Sequence, residues 1–104
     1  MTDNVIREIA QERERQIERE GYKREHDDEH TDGSIAMAAA CYAAPRKIYV
    51  EDGEPRIFGF RYTGAWPWPL EYDRRHKHNR RRQLVIAAAL IVAEIERLDR
   101  VSGA

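Results

Sequence analysis

Asn79-Arg80-Arg81-Arg82-Gln83-Leu84-Val85-Ile86-Ala87-Ala88-Ala89-Leu90-Ile91-Val92-Ala93 is the stretch that decides the fold. Asn79 can cap a helix start, because its side-chain oxygen accepts from backbone N–H groups that have no partner within the helix. From Leu84 to Ala93 the sequence is apolar nearly all round, and the helical pattern runs on to about Arg100. A helix of that kind is buried on more than one side. A chain of 104 residues offers only a thin core, so a second copy is expected to supply part of the cover, as in a homo-oligomer. The apolar run is too short to span a bilayer.

Upstream lies Trp66-Pro67-Trp68-Pro69, then Asp73, then a basic burst of Arg74, Arg75, His76, Lys77, His78, Arg80, Arg81 and Arg82. Residues 63–79 read as an ordered loop stiffened by its prolines. Lys47–Glu51 and Arg56–Tyr62 are rich in β-branched and aromatic residues, with the turn signal Asp52-Gly53 between them. They predict a β-hairpin with Phe58, Phe60 and Tyr62 on one face. Residues 32–43 predict an alanine-rich second helix stopped by Pro45. Residues 22–31 form a polar connector, and residues 3–20 predict the first helix, ended by Gly21. On that helix Ile6, Ile9, Ala10, Arg13 and Ile17 share one face, and the other faces alternate Glu and Arg. The expected fold is mainly α: a single domain over residues 1–104, with three helices and a β-hairpin insertion between helices 2 and 3.

Composition narrows the function classes. Charged residues make up 36% and the hydrophobic set 41%, but the apolar residues cluster in periodic runs, as in a folded helical protein rather than a disordered one. A net charge of −1 gives no global basic field. An anion site must therefore be local, which favours a small ligand over a nucleic-acid polymer. The single cysteine, Cys41, rules out an internal disulfide and suits a reducing compartment. Met1-Thr2-Asp3-Asn4 lacks the pattern of a secretory leader, so the expected setting is cytoplasmic, with no membrane partner.

Several islands of sequence carry a resemblance. They are Glu12-Arg13-Glu14-Arg15-Gln16 with Glu20-Gly21-Tyr22, Glu25-His26-Asp27-Asp28-Glu29-His30, and Ala38-Ala39-Ala40-Cys41-Tyr42-Ala43. Trp66-Pro67-Trp68 and Arg81-Arg82-Gln83-Leu84-Val85, running into Ala93–Arg100, complete the set. In this order they resemble a small domain of tailed phages and prophages, found alone or as the C-terminal part of Ead-like prophage proteins. The basic burst is longer here, and Gln83 stands where the resemblance leads one to expect an acidic residue. The resemblance implies a mostly helical phage accessory protein in a host cell and brings no established activity or site residues.

The candidate ligand site is Trp66, Trp68, Tyr72, Arg80, Arg81 and Arg82. Three arginines in the first turn of a helix oppose its dipole, a conflict that an anion or nearby carboxylates would settle. Planar guanidinium forks suit phosphate, and the aromatic rings suit a base. The leading expectation is a phage accessory protein that binds a small phosphorylated, nucleotide-type ligand without turnover and sequesters a bacterial immune signal. The competing reading of the arginines is that they pair with first-helix glutamates.

Two alternative functions stand beside it. Glu96-x-x-Asp99 facing Glu12, Glu14 and Glu18 is a partial match to MazG-like magnesium-dependent pyrophosphohydrolases. The hairpin edge or the Trp-Pro loop could dock on a host protein as an inhibitor. His26, Asp27, Asp28 and His30 offer metal-type ligands, but capping and inward hydrogen bonding is the favoured reading. No metal, cofactor or catalytic residue is assigned.

Overall fold

A computed structural model describes residues 2–19, 27–45, 50–51, 54–57, 60–61 and 65–101. Helix α1 spans Thr2–Arg19, α2 spans Ser34–Ala43 and α3 spans Arg80–Val101. Both α1 and α2 pack on α3, so the stretch that opened the reading is the central helix. Asn79 is its N-cap: the Arg82 amide donates to Asn79 Oδ1 at 2.8 Å.

The α2–α3 contact is built from small residues. Ala38, Ala39 and Cys41 face Ala87, Leu90 and Ala93 in one buried cluster, with Ile35, Tyr42 and Ile86 as the larger members. Side chains this small let helix backbones approach closely. Ala65 and Trp66 from the loop close the cluster. Ahead of α2, the Ser34 amide donates to Asp32 Oδ1 at 3.0 Å, and Gly33 turns the chain at φ 84°. That left-handed conformation suits glycine. Past α2, the Ala44 amide bonds the Ala40 carbonyl, and Pro45 follows.

The mainly α class holds, but the expected three helices plus one β-hairpin do not. Asp27 and Asp28 are also helical. Between α2 and α3 the chain forms three very short strands, β1 (Val50–Glu51), β2 (Glu54–Ile57) and β3 (Phe60–Arg61), paired antiparallel in the order β1-β2-β3. Arg56 pairs with Arg61 and Ile57 with Phe60, so Phe60 and Arg61 lie on a strand that pairs with β2 rather than continuing it. The expected second strand, Arg56–Tyr62, is thus divided between two paired strands. Phe58, Tyr62, Gly21 and His26 lie outside the described residues.

The orientation of α1 also differs from expectation. Of the expected face Arg13 is buried, but Ile6 and Ala10 are exposed and Ile9 and Ile17 only partly covered, whereas Glu12 and Gln16, outside that face, are buried. The face of α1 turned inward is polar, and ion pairs rather than apolar contacts tie it to α3.

Candidate functional site

The basic burst disperses into the protein. Arg80 donates to the carbonyls of Tyr42 and Ala43 at the C-terminal end of α2. There its charge complements the negative pole of that helix. Arg81 forms a two-pronged pair with Glu8 at 2.8 and 2.7 Å, and Arg82 donates to Glu12. The three cations at the positive end of α3 are thus each held by a different partner on α1 or α2. They do not converge on a common point, and the glutamate reading of the cluster describes Arg81 and Arg82.

Glu12 is the hub of this arrangement. It is 2% exposed and accepts from Arg15 at 2.8 and 2.9 Å, from Arg82, and from the Gln16 carboxamide at 3.2 Å. Burial alone would push its carboxyl up, but hydrogen bonding from Arg15 and the charges of Arg15 and Arg82 carry it below the usual carboxylate range. Arg13 makes a second buried link, to Asp27 at 2.7 Å and to Glu96 at 3.0 Å. Asp28 meets Arg100 at 2.9 Å, and His30 Nδ1 lies 3.1 Å from Ser34 Oγ. Asp27, Asp28 and His30 of the connector are therefore engaged in structure. Glu96 is bound to Arg13 rather than facing Glu12 across a metal. Among the described residues no group of three or more His, Cys, Asp or Glu side chains comes together to hold an ion.

The aromatics form a chain of ring contacts, two edge-on and one tilted. Tyr42 and Trp66 ring centres are 5.8 Å apart at 72°, Trp66 and Trp68 5.6 Å at 88°, and Trp68 and His30 5.3 Å at 48°. Trp66 is 7% exposed and belongs to the core, and its indole N–H donates to the Pro69 carbonyl at 3.3 Å. Arg75 is 1% exposed, with its guanidinium 5.3 Å from the Trp66 ring centre and bound to Asp73 at 2.9 and 2.7 Å. Arg75 thus fixes the Trp66 ring from behind. Burial would raise Asp73, but hydrogen bonds from the Arg75 side chain and backbone lower it.

One small cleft, open to solvent, gathers what is left. Trp66, Trp68, Tyr72 and Tyr42 supply aromatic walls, and Arg15, Arg74 and His78 supply nitrogen donors. Gln16 lies at its margin, 1% exposed, and its Oε1 has no hydrogen-bond partner. The orientation of this amide is fixed chemically, since its NH₂ faces the Glu12 carboxylate and a flipped amide would set oxygen against oxygen. A buried acceptor without a donor costs about 1–3 kcal/mol. No carboxylate lines the cleft among the described residues.

The structure brings Trp66, Trp68 and Tyr72 together at this cleft and leaves Arg80, Arg81 and Arg82 out of it. The residues sequence reasoning missed are Arg15, Gln16, Arg74 and His78. Arg74 and His78 stood in the quoted basic burst, and only the two short 3-10 turns at Leu70–Tyr72 and Arg75–Lys77 decide which of its cations face the aromatics. The chain matches no family model, and neither a characterised protein nor a solved structure is significantly similar to it.

Proposed function

We propose that the chain is a binding protein for a small planar anion, a phosphorylated nucleotide-type ligand held without turnover at the Trp68–Tyr72 cleft. The observation that carries this reading is the aromatic cleft lined by Trp68 and Tyr72 together with Arg15, Arg74 and His78, and by no carboxylate among the described residues. A base offers a flat face for Tyr72 and Trp68. The phosphate contact moves from the helix-start arginines to Arg74, which is exposed at the rim, with His78 and Arg15 nearby. Among the described residues no metal-type cluster is assembled, so binding is better supported than magnesium-dependent hydrolysis.

The resemblance to a phage accessory domain suggests a use in the host cytoplasm, which is to sequester a nucleotide signal of bacterial immunity. No helix among the described residues is long and apolar enough to cross a membrane. Protein purified from cells making such signals should release a nucleotide on denaturation, identified by mass spectrometry. The same preparation of Arg74→Ala should release far less. Release of no nucleotide from the unaltered protein, loaded with cyclic nucleotides and ADP-ribose derivatives in turn, overturns the reading.

A further inference from the structure

Of the basic burst, Arg75, Arg80, Arg81 and Arg82 are held within the chain, by Asp73, the last carbonyls of α2, Glu8 and Glu12. Arg74 and Lys77 are exposed, and no hydrogen bond or ion pair ties either side chain to a described residue. They bracket one 3-10 turn, which the Lys77 amide closes on the Arg74 carbonyl at 3.0 Å. Residues three apart in such a turn stand one above the other, about 6 Å apart. Arg74 lines the cleft, and Lys77 lies outside it. The turn between them is fixed from both sides. Asp73 accepts from the Arg75 amide at 3.1 Å and from its guanidinium at 2.9 and 2.7 Å. The Gln83 carboxamide donates to the carbonyls of Arg75 and His78 at 2.9 and 3.3 Å. The backbone that carries the two cations is thus ordered before any ligand arrives, which lowers the cost of binding.

We infer that the ligand carries a second phosphate, an inference that rests on nucleotide binding at the cleft and names the ligand class as nucleoside diphosphates. A base set against Trp68 and Tyr72 leaves its first phosphate at Arg74, the exposed cation of the rim. A chain that continues outward from there meets Lys77 next. Two phosphates joined by one bridging oxygen lie close enough for cations about 6 Å apart to hold one each. The two side chains suit those two places. The planar arginine fork fits the inner phosphate, whose position the base already fixes, and the lysine ammonium, a point charge on a flexible stem, follows the terminal one. Asp73, the carboxylate of this turn, is turned onto Arg75 and away from that role. A monophosphate uses Arg74 and leaves Lys77 without a partner.

Tryptophan fluorescence of the full chain, titrated with adenosine monophosphate and with adenosine diphosphate in the presence of a chelator, tests this. The unaltered protein should bind the diphosphate at least about tenfold more tightly, the worth of one charge-assisted contact. Lys77→Ala should bring the diphosphate down to the affinity of the monophosphate and leave the monophosphate unchanged, while Lys77→Arg keeps the preference. Arg74→Ala should weaken both nucleotides. Lys77 is exposed, so the far-UV circular dichroism of Lys77→Ala should stay that of the unaltered protein. Equal affinity for the two nucleotides, or a preference for the diphosphate that survives in Lys77→Ala, would overturn the inference and leave nucleotide binding at the cleft standing. Quenching by neither nucleotide would overturn both.

Discussion

Replacing Glu12 with alanine tests whether buried ion pairs, rather than an apolar face, hold α1 to the central helix. Glu12 is 2% exposed and gathers Arg15, Arg82 and Gln16 around one carboxylate. Removing one partner of a buried charged network costs about 3–5 kcal/mol, because the remaining charges are left without compensation. Here the Arg15 and Arg82 side chains are about one-third exposed, 33% and 31%, and can recover some hydration. The expected loss is therefore at the lower end, about 2–4 kcal/mol. For a domain of this size each kcal/mol moves the melting temperature by about 4 °C, so Glu12→Ala should melt about 8–16 °C lower. Glu12→Gln keeps the shape and loses the charge, and should fall between the two. Glu14, its exposed neighbour, is the control: Glu14→Ala should stay within about 0.5 kcal/mol of the unaltered chain. Thermal melts followed by circular dichroism read all three. A Glu12→Ala melt indistinguishable from Glu14→Ala would refute the reasoning.

Further expectations follow from the same contacts. The carboxyls of Glu12 and Asp73 titrate lower in the folded chain than unfolded, so their stabilisation is present above the unfolded value of about 4 and is lost as pH falls through the folded one. Urea midpoints should hold from neutrality down to about pH 5 and decline below about pH 4, with a shallower decline in Glu12→Gln. The Gln83 carboxamide donates to the carbonyls of Arg75 and His78 at 2.9 and 3.3 Å, so Gln83→Glu should cost about 1–3 kcal/mol in chemical denaturation, because a carboxylate would face those oxygens with nothing to donate. Burial pushes the Cys41 thiol up, so a thiol reagent should label the native protein slowly and the urea-unfolded protein at once.

The helices were legible because their signals are local. Asn79, Pro45 and the apolar run from Leu84 to Ala93 each act within one or two turns of their own position. The small-residue pattern of residues 35–43 likewise announced a tightly packed helix. The orientation of α1 was not fully legible, because its isoleucines mark an apolar stripe while the tertiary fold turns Glu12 and Gln16 inward beside Arg13. That choice depends on arginines 70 and 73 positions later in the chain, Arg82 on Glu12 and Arg81 on Glu8. The hairpin expectation failed because its second strand, Arg56–Tyr62, is divided between β2 and β3, which pair with each other. The site was half legible. Composition singled out Trp66, Trp68 and Tyr72, but no sequence period tells which cations of a loop with two 3-10 turns face them. Arg80 shows the same limit, since its position at the wrong end of α3 is the right end of α2.

Both tryptophans of the chain, Trp66 and Trp68, line the cleft, so their fluorescence reports its occupancy without a label. Titration with an adenosine monophosphate, alongside adenine and ribose 5-phosphate as half-ligands, addresses the central claim directly. The account predicts saturable quenching by the nucleotide, at least about tenfold weaker response to either half, and a similar loss in Arg74→Ala, since one charge-assisted contact is worth about 1.5–3 kcal/mol. Fluorescence that stays flat through millimolar nucleotide, for this and for cyclic and dinucleotide forms, would contradict it.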